Sequence, residues 1–285
     1  MKVLVIGSSV CDVIINVQQM PLIGEDENVI SQSLNLGGCA FNVANILKYL
    51  NIPFDLLSPV GIGIYGDFVR NEMIKKNIPI LLESKEDNGC CYCIVDKSGE
   101  RTFIAHHGGE YHFYPQDFLK INPKDYQYVY VCGLELEEET GIHIIEFLEE
   151  NDFHIVFASS SRIHHINKKR LERILSLHPI LHFSQNEILS YNHIHTIEEA
   201  AIDLYKKTQN IVIVTLGSQG CYYYDGKHHY VDPYPTKIVD TIGAGDSHVA
   251  SVIAMLYQNQ SIDKAIDKGN QIAAKVVSQK GANLI

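Results

Sequence analysis

The sequence has no excess of positive charge: 23 Lys and Arg face 34 Asp and Glu, a formal net charge of −11. A chain of that sign has no general attraction for nucleic acid or an anionic membrane, so neither is expected as a partner. It has no long apolar run either; stretches such as 211–214 are far too short to span a bilayer. The opening MKVLVIGSSV passes from one Lys and a strand-like run straight into Gly-Ser-Ser, unlike a secretory signal, and a cytoplasmic protein is expected. Cys90 and Cys93 have Cys-x-x-Cys spacing, but no second such pair occurs to complete a four-ligand site. The seven cysteines are odd in number, and in CCYC strand alternation puts Cys91 and Cys93 on one face and Cys90 on the other, which suits reduced, partly buried thiols. The histidine doublets at 106–107, 164–165 and 228–229 lack ligand spacing, so no zinc site is expected. With no Pro/Gly/Ser linker, low-complexity tract or internal repeat, a single domain over 1–285 is expected.

What is present is ordinary globular composition, 46% hydrophobic and 20% charged, in a chain long enough to bury a substantial core. Strand-like and helix-like segments alternate. KVLVIG is followed by helical spacing at 40–50, a strand-like run at 54–60 and a helix over 67–76 with Asp67 at its start. Later YVYVCGL, HIVFAS, PILHFS and NIVIVTLGS are separated by helical stretches at 140–150, 168–177 and 197–207. Such alternation predicts an α/β fold, a mostly parallel central sheet covered by helices. Residues 13–35 and 90–106 break the rhythm: they are rich in β-formers with no intervening helix, and the second reads as a hairpin turning at 96–99. A small β lid formed by about 13–36 and 88–107 is therefore expected over the core.

At 240–250, DTIGAGDSHVA places two glycines and an alanine between two aspartates. KIVD before it is strand-like, and Val249, Val252, Ile253 and Leu256 recur at helical spacing after it. The first N–H groups of a helix are unpaired and carry the positive end of its dipole, so Gly243, Ala244 and Gly245 leave backbone donors open to an anion. Asp246 falls in the first helical turn beside that anion. A phosphate there repels the carboxylate, which does not help binding but suits a general base acting on an incoming hydroxyl. Asp is also a common helix cap. Capping explains one aspartate; phosphoryl transfer explains both aspartates and the small residues together.

Asp240–Asp246 as a string resembles D-T-x-G-A-G-D, the C-terminal signature of the PfkB/ribokinase family of carbohydrate and nucleoside kinases. Gly37-Gly38-Cys39-Ala40-Phe41-Asn42 is similar to the family's G-G-x-x-x-N signature, Asp12 to its substrate aspartate, and Thr215-Leu216-Gly217-Ser218-Gln219-Gly220 to its T-L-G-x-x-G nucleotide loop. The resemblance runs in order along essentially the whole chain. It implies a ribokinase-like sandwich with a β lid, and transfer of the γ-phosphate of ATP, with Mg²⁺, to a hydroxymethyl group of a small sugar or nucleoside. On that resemblance Asp246 is the catalytic base and the amides of Gly243, Ala244 and Gly245 are the anion hole. Asp12, Gly38 and Asn42 grip the acceptor, and Glu135 aligns with an acidic acceptor-binding position. Thr215, Gly217 and Gly220 hold ATP, with Asn270 near the adenine. Ser184-Gln185-Asn186-Glu187 aligns with N-x-x-E, so Glu187 handles Mg²⁺ through water and Ser184 replaces an ATP-side asparagine. Many relatives bind K⁺ through backbone carbonyls near the turn. Many also dimerise through the lid, which Val29, Ile30, Ile94 and Val95 permit here.

Departures and rivals remain. Cys39 and Val10 stand where ribokinases proper have Lys and Asn, which speaks against ribose, and Gly63 stands where the family usually has Asp. Arg162 falls where keto-sugar kinases carry an arginine, but Ala158 and Ser159 replace their Asp-Pro. Glu135 lies in GLELEEE, which reads also as a solvated face, and Glu187 reads also as an ordinary helix-start residue. Gly61-Ile62-Gly63-Ile64-Tyr65-Gly66 satisfies the dinucleotide fingerprint G-x-G-x-x-G, with Glu83 beyond it, and taken alone specifies an NAD-dependent dehydrogenase. Pro59 and the unexplained 240–246 and 37–42 motifs weigh against it. A catalytically silent sugar or nucleotide sensor is the other alternative, against which stands the retained Asp246.

Overall fold

A computed structural model of the chain describes residues 1–160, 162–192, 196–282 and 284. Its first half runs β1 (Lys2–Ile6), β2 (Val10–Val17), β3 (Val29–Gly37), α1 (Cys39–Tyr49), β4 (Phe54–Leu57), β5 (Pro59–Ile62), α2 (Gly63–Lys75), β6 (Leu82–Asp87), β7 (Cys90–Val95), β8 (Arg101–His106) and β9 (Tyr126–Cys132). The second runs α3 (Ile142–Glu149), β10 (His154–Ala158), α4 (Lys168–Ser176), β11 (Ile180–Ser184), α5 (Gln185–Asn192), α6 (Ile197–Thr208), β12 (Val212–Thr215), β13 (Cys221–Tyr224), β14 (His228–Val231), α7 (Ala244–Tyr257) and α8 (Ile262–Val277).

Eight strands form the central sheet in the order β14-β13-β12-β11-β10-β9-β1-β4, parallel from β12 to β4 and antiparallel at the β13–β14 end. Successive side chains of a strand face opposite ways, so a sheet covered on both sides needs unbroken apolar runs. In β1, Val3 and Val5 join one core with α1, α7 and α8, while Leu4 and Ile6 join the other with α3, α4, α5 and α6. Ile213 of β12 goes to the first core and Val212 and Val214 to the second. Parallel strands ending at one edge leave their following loops on that edge, the usual ligand-binding side of such sheets.

The segments expected as a lid form a separate four-stranded sheet, order β3-β2-β7-β8, with the hairpin closed by the Gly99 N–H bonding to the Asp96 carbonyl. Several elements differ from expectation, among them KIVD at 237–240, which forms no strand and runs as irregular chain into the turn. The 54–60 run divides into β4 and β5, which belong to different sheets, because β5 turns away to pair with β6. Helix α2 begins at Gly63, so Asp67 lies inside it. The β13–β14 hairpin, α5 and α8 were not anticipated; β14 is short and half exposed, with little apolar pattern to mark it. All seven cysteines are free thiols. Among the described residues no group of three His, Cys, Asp or Glu is arranged to hold a metal, and no helix is long and apolar enough to cross a membrane.

Candidate active site

The 240–246 turn starts from Asp240, whose two carboxylate oxygens tie three partners. Oδ1 accepts the Ile242 N–H at 2.8 Å and lies 2.8 Å from Nη1 of Arg101, while Oδ2 accepts the Gly281 N–H at 2.9 Å. Burial pushes this carboxyl up, but the two amides and the guanidinium outweigh it and hold Asp240 below the usual carboxylate range. Gly243 caps α7 with φ +74°, a left-handed conformation, and an added Cβ would sit 2.3 Å from the Ala282 Cβ. Both constraints require glycine. Gly245 has open space on its side-chain side, and the N–H groups of Gly243 and Gly245 have no acceptor among the described residues. The Ala244 N–H is committed in part, donating to the Thr241 carbonyl at 3.3 Å, so the expected trio of free donors is nearer a pair.

Asp246 does not cap α7; no side chain caps that helix. Its Oδ2 instead accepts the Asn42 Nδ2–H at 2.8 Å. Burial, helped by the Glu187 charge, raises its carboxyl to about 6, against hydrogen bonds from Asn42 and Cys39 that lower it. Asp12 is raised to about 7 by burial and by the neighbouring Asp246 charge. Gly37 makes room for Asp12: an added Cβ would lie 2.0 Å from its Oδ2.

Three cavities meet at the turn. One of about 700 Å³ lies beneath the small sheet, lined by Asp12, Asn35, Gly37, Asn42, Arg101 and Asp240 among others. A central one of about 440 Å³ holds Asp246, Gly243, Ala244, Gly245, Cys39, Ser184 and Glu187. A third, about 590 Å³, is walled by Thr215, Gly217, Gly220, Asn270 and the 233–238 loop. Ile242 lines the first two; Thr215, Thr241, Ala244 and Gly245 line the last two. The turn is thus a partition whose residues wall adjoining cavities on both sides.

Other expected residues act less directly. Gly38 is the N-cap of α1 at φ +94°, and its neighbour Gly37 faces the cavity. Glu135 is fully buried, which excludes a solvated face. Its Oε1 accepts the Ser8 N–H at 2.7 Å and burial raises it to about 7, so it supports the loop after β1 from behind and lines none of the three cavities. Asn270 spends its Nδ2–H groups on the Val231 and Asp232 carbonyls, at 3.2 and 3.0 Å, and so fixes the wall of the third cavity. Ser184 and Glu187 form a reciprocal cap on α5: the Ser184 N–H donates to Oε2 at 2.8 Å and the Glu187 N–H to Ser184 Oγ at 3.3 Å. The helix-start reading of Glu187 therefore holds, while its carboxylate still borders the central cavity, raised by burial against the Ser184 and Ser159 hydrogen bonds. Arg162 pairs with Glu137 at 2.7 Å and lines none of the cavities. Gly61 and Gly66 are packing glycines: Cβ atoms there would meet the Glu86 carbonyl at 2.6 Å and the Gly61 carbonyl at 2.3 Å. Glu83 pairs with Arg70 at 2.7 Å, and Gly61, Gly63 and Gly66 line none of the three cavities.

Two features were missed. Arg101 reaches the turn from the small sheet, and its buried Nε has no partner among the described residues. His182 Nε2 and His248 Nδ1 lie 2.9 Å apart, buried between the central and third cavities. Burial keeps both neutral, with His248 lowered to about 4 and His182 well below its ordinary value. The capping box was legible as S-x-x-E; no local pattern marks the other pairings.

The whole chain, residues 1–285, matches the family model described as pfkB family carbohydrate kinase. It is 32% identical over 289 residues to the "Uncharacterized sugar kinase YegV" of Escherichia coli, covering 99% of this chain and 90% of that one. The ribokinase structure of Thermotoga maritima superposes with a TM-score of 0.85 at 22% identity, over 99% of this chain and 94% of that chain. The aminoimidazole riboside kinase of Salmonella enterica, in complex with aminoimidazole riboside and an ATP analog, superposes at 0.81 with 20% identity, over 100% and 96%. The chain belongs to the pfkB family of carbohydrate kinases, with the ribokinase-like α/β fold, and is a kinase of the sugar and nucleoside type.

Proposed function

We propose that this kinase moves the γ-phosphate of ATP onto a hydroxymethyl group of a small sugar or nucleoside, with Asp246 as general base. The observation that carries the reading is the partition: one turn supplies bare amides, a base, and walls shared with cavities on both sides. The cavity beneath the small sheet takes the acceptor, held by Asp12 and Asn42, and the small sheet acts as its lid. Glu135 acts through the Ser8 loop. The third cavity takes the nucleoside part of ATP against Thr215, Gly217 and Gly220, its wall fixed by Asn270.

In the reaction the acceptor O–H gives its proton to Asp246 as its oxygen bonds to the γ-phosphorus, and the bond from phosphorus to the bridging oxygen breaks to release ADP. The Gly243 and Gly245 N–H groups, at the positive end of α7, stabilise charge on the transferring oxygens. Mg²⁺, when bound, would neutralise phosphate charge, and Glu187, which borders the central cavity beside the ATP-side Ser184, would hold it through water. The exposed lid residues Val29 and Ile30 support a homodimer through the lid.

The test is ADP release with a panel of sugars, keto-acids and nucleosides. Asp246→Asn should lower kcat by about 10²–10⁴-fold while ATP still binds. Unchanged turnover would remove Asp246 as the base, and ligand binding without ADP release in the wild type would favour the sensor.

A further inference from the structure

Among the described residues, no ion pair other than Arg101–Asp240 joins the small sheet to the 240–246 turn. The chain prepares this contact locally. Arg101 opens β8 directly after the hairpin, where Asp96 Oδ1 accepts the N–H groups of Ser98 and Glu100 at 2.8 and 3.2 Å and pins the turn that aims it. On the other side, Asp240 binds two separate backbone segments through the Ile242 and Gly281 amides. The residue after Gly281 is Ala282, whose side chain crowds Gly243. Asp240 therefore sets where the catalytic amides stand.

A carboxylate at 9% exposure costs free energy unless a cation and donors compensate it. Arg101 is that cation, and it arrives on the lid. The geometry points to Arg101 as a positioning residue: docking of the small sheet over the acceptor brings a guanidinium to Asp240 and thereby completes the turn that stabilises the phosphoryl group. Acceptor enclosure and assembly of the anion hole become one event, so an open lid leaves ATP facing an incomplete turn and water is a poor substitute acceptor. This extends the kinase reading and rests on it for its catalytic consequence.

The experiment compares full-length wild type, Arg101→Met and Arg101→Lys in steady-state kinetics with an acceptor from the panel, and in amide hydrogen exchange without ligand. Arg101→Met should lower kcat by about 10–100-fold, as misplacement of a catalytic group does, with ATP KM nearly unchanged. Arg101→Lys should recover part of kcat by restoring the charge. Exchange should quicken at Ile242 and Gly281, which Arg101 does not touch, while β2 and β7 stay protected. Unchanged kcat with unchanged exchange at 242 and 281 overturns the proposal, as does faster exchange throughout the small sheet, which marks a merely structural role. A wild type that phosphorylates no acceptor sinks the kinase reading alone; exchange at 242 and 281 still decides the latch.

Discussion

Among the described residues, the wall of the cavity proposed for the nucleotide carries no Asp, Glu, Lys or Arg, whereas in the cavity proposed for the acceptor Asp12, Glu72 and Asp240 face the same space as Lys76, Arg101 and Lys280. The nucleotide side is drawn from 215–277, a late and nearly continuous part of the chain. The acceptor side gathers residues from 12 to 282, many of them on the small sheet. The difference assigns different physics to the two substrates. On the proposed assignment the phosphates meet backbone amides and a helix dipole, spread over many small contributions, while the acceptor depends on a few charged side chains held apart by the fold.

The largest effect expected from this division is at Asp12. Asp12→Ala should raise acceptor KM by about 10–100-fold, the loss of hydrogen bonds to a charged group, and leave ATP KM alone. A matching loss of ATP affinity would erase the distinction between the sides.

The pH profile sharpens it. Both carboxyls sit above their ordinary value, so each is lost as an ionised group when pH falls through its folded value, about 7 for Asp12 and about 6 for Asp246. Acceptor kcat/KM should therefore fall with decreasing pH, first through about 7 and more steeply through about 6, while ATP affinity follows neither step. A flat profile between pH 5 and 8 would contradict both assignments.

A smaller effect concerns stability. An aspartate raised from near 4 in the unfolded chain to about 6 when folded imposes no cost below pH 4, a growing cost from 4 to 6, and its full cost above 6. Asp246→Asn, which also offers a donor toward the unpartnered Asn42 Oδ1, should thus stabilise the protein by about 2 kcal/mol at pH 8 and hardly at all at pH 4. Thermal melts at the two pH values measure it; equal gains at both would refute the linkage. The smallest effect belongs to the nucleotide side, where Asn270→Ala, releasing two carbonyls of the wall, should raise ATP KM by about 3–10-fold without changing acceptor KM. A rise in acceptor KM of similar size would mean that the two cavities are not separate.

Much of this was legible beforehand. The unbroken apolar runs of β1 and β9–β12 announce a sheet covered on both faces, and the small residues at 243–245 announce bare amides at the start of α7, because both depend on residues adjacent along the chain; the strand expected just before that turn does not form. The hairpin of the small sheet was legible through its turn chemistry at 96–99. Glu135 was misread in its surroundings, since a run of carboxylates looks solvated until the fold buries one member against the Ser8 amide. Gly61–Gly66 shows the converse: the glycine spacing is real, but it serves close packing between a strand and a helix.

The sequence by itself determined the fold class, the two core faces, and the bare turn with its aspartate, since each rests on backbone periodicity or on the size of neighbouring side chains. Only the tertiary structure decided that Arg101 meets Asp240, that Asn42 holds Asp246, that two neutral histidines bridge the cavities, and that Asn270 braces a loop. Those pairings join residues far apart in the chain, and a charge or hydrogen bond shows its partner only after packing has excluded water and brought both groups within about 3 Å.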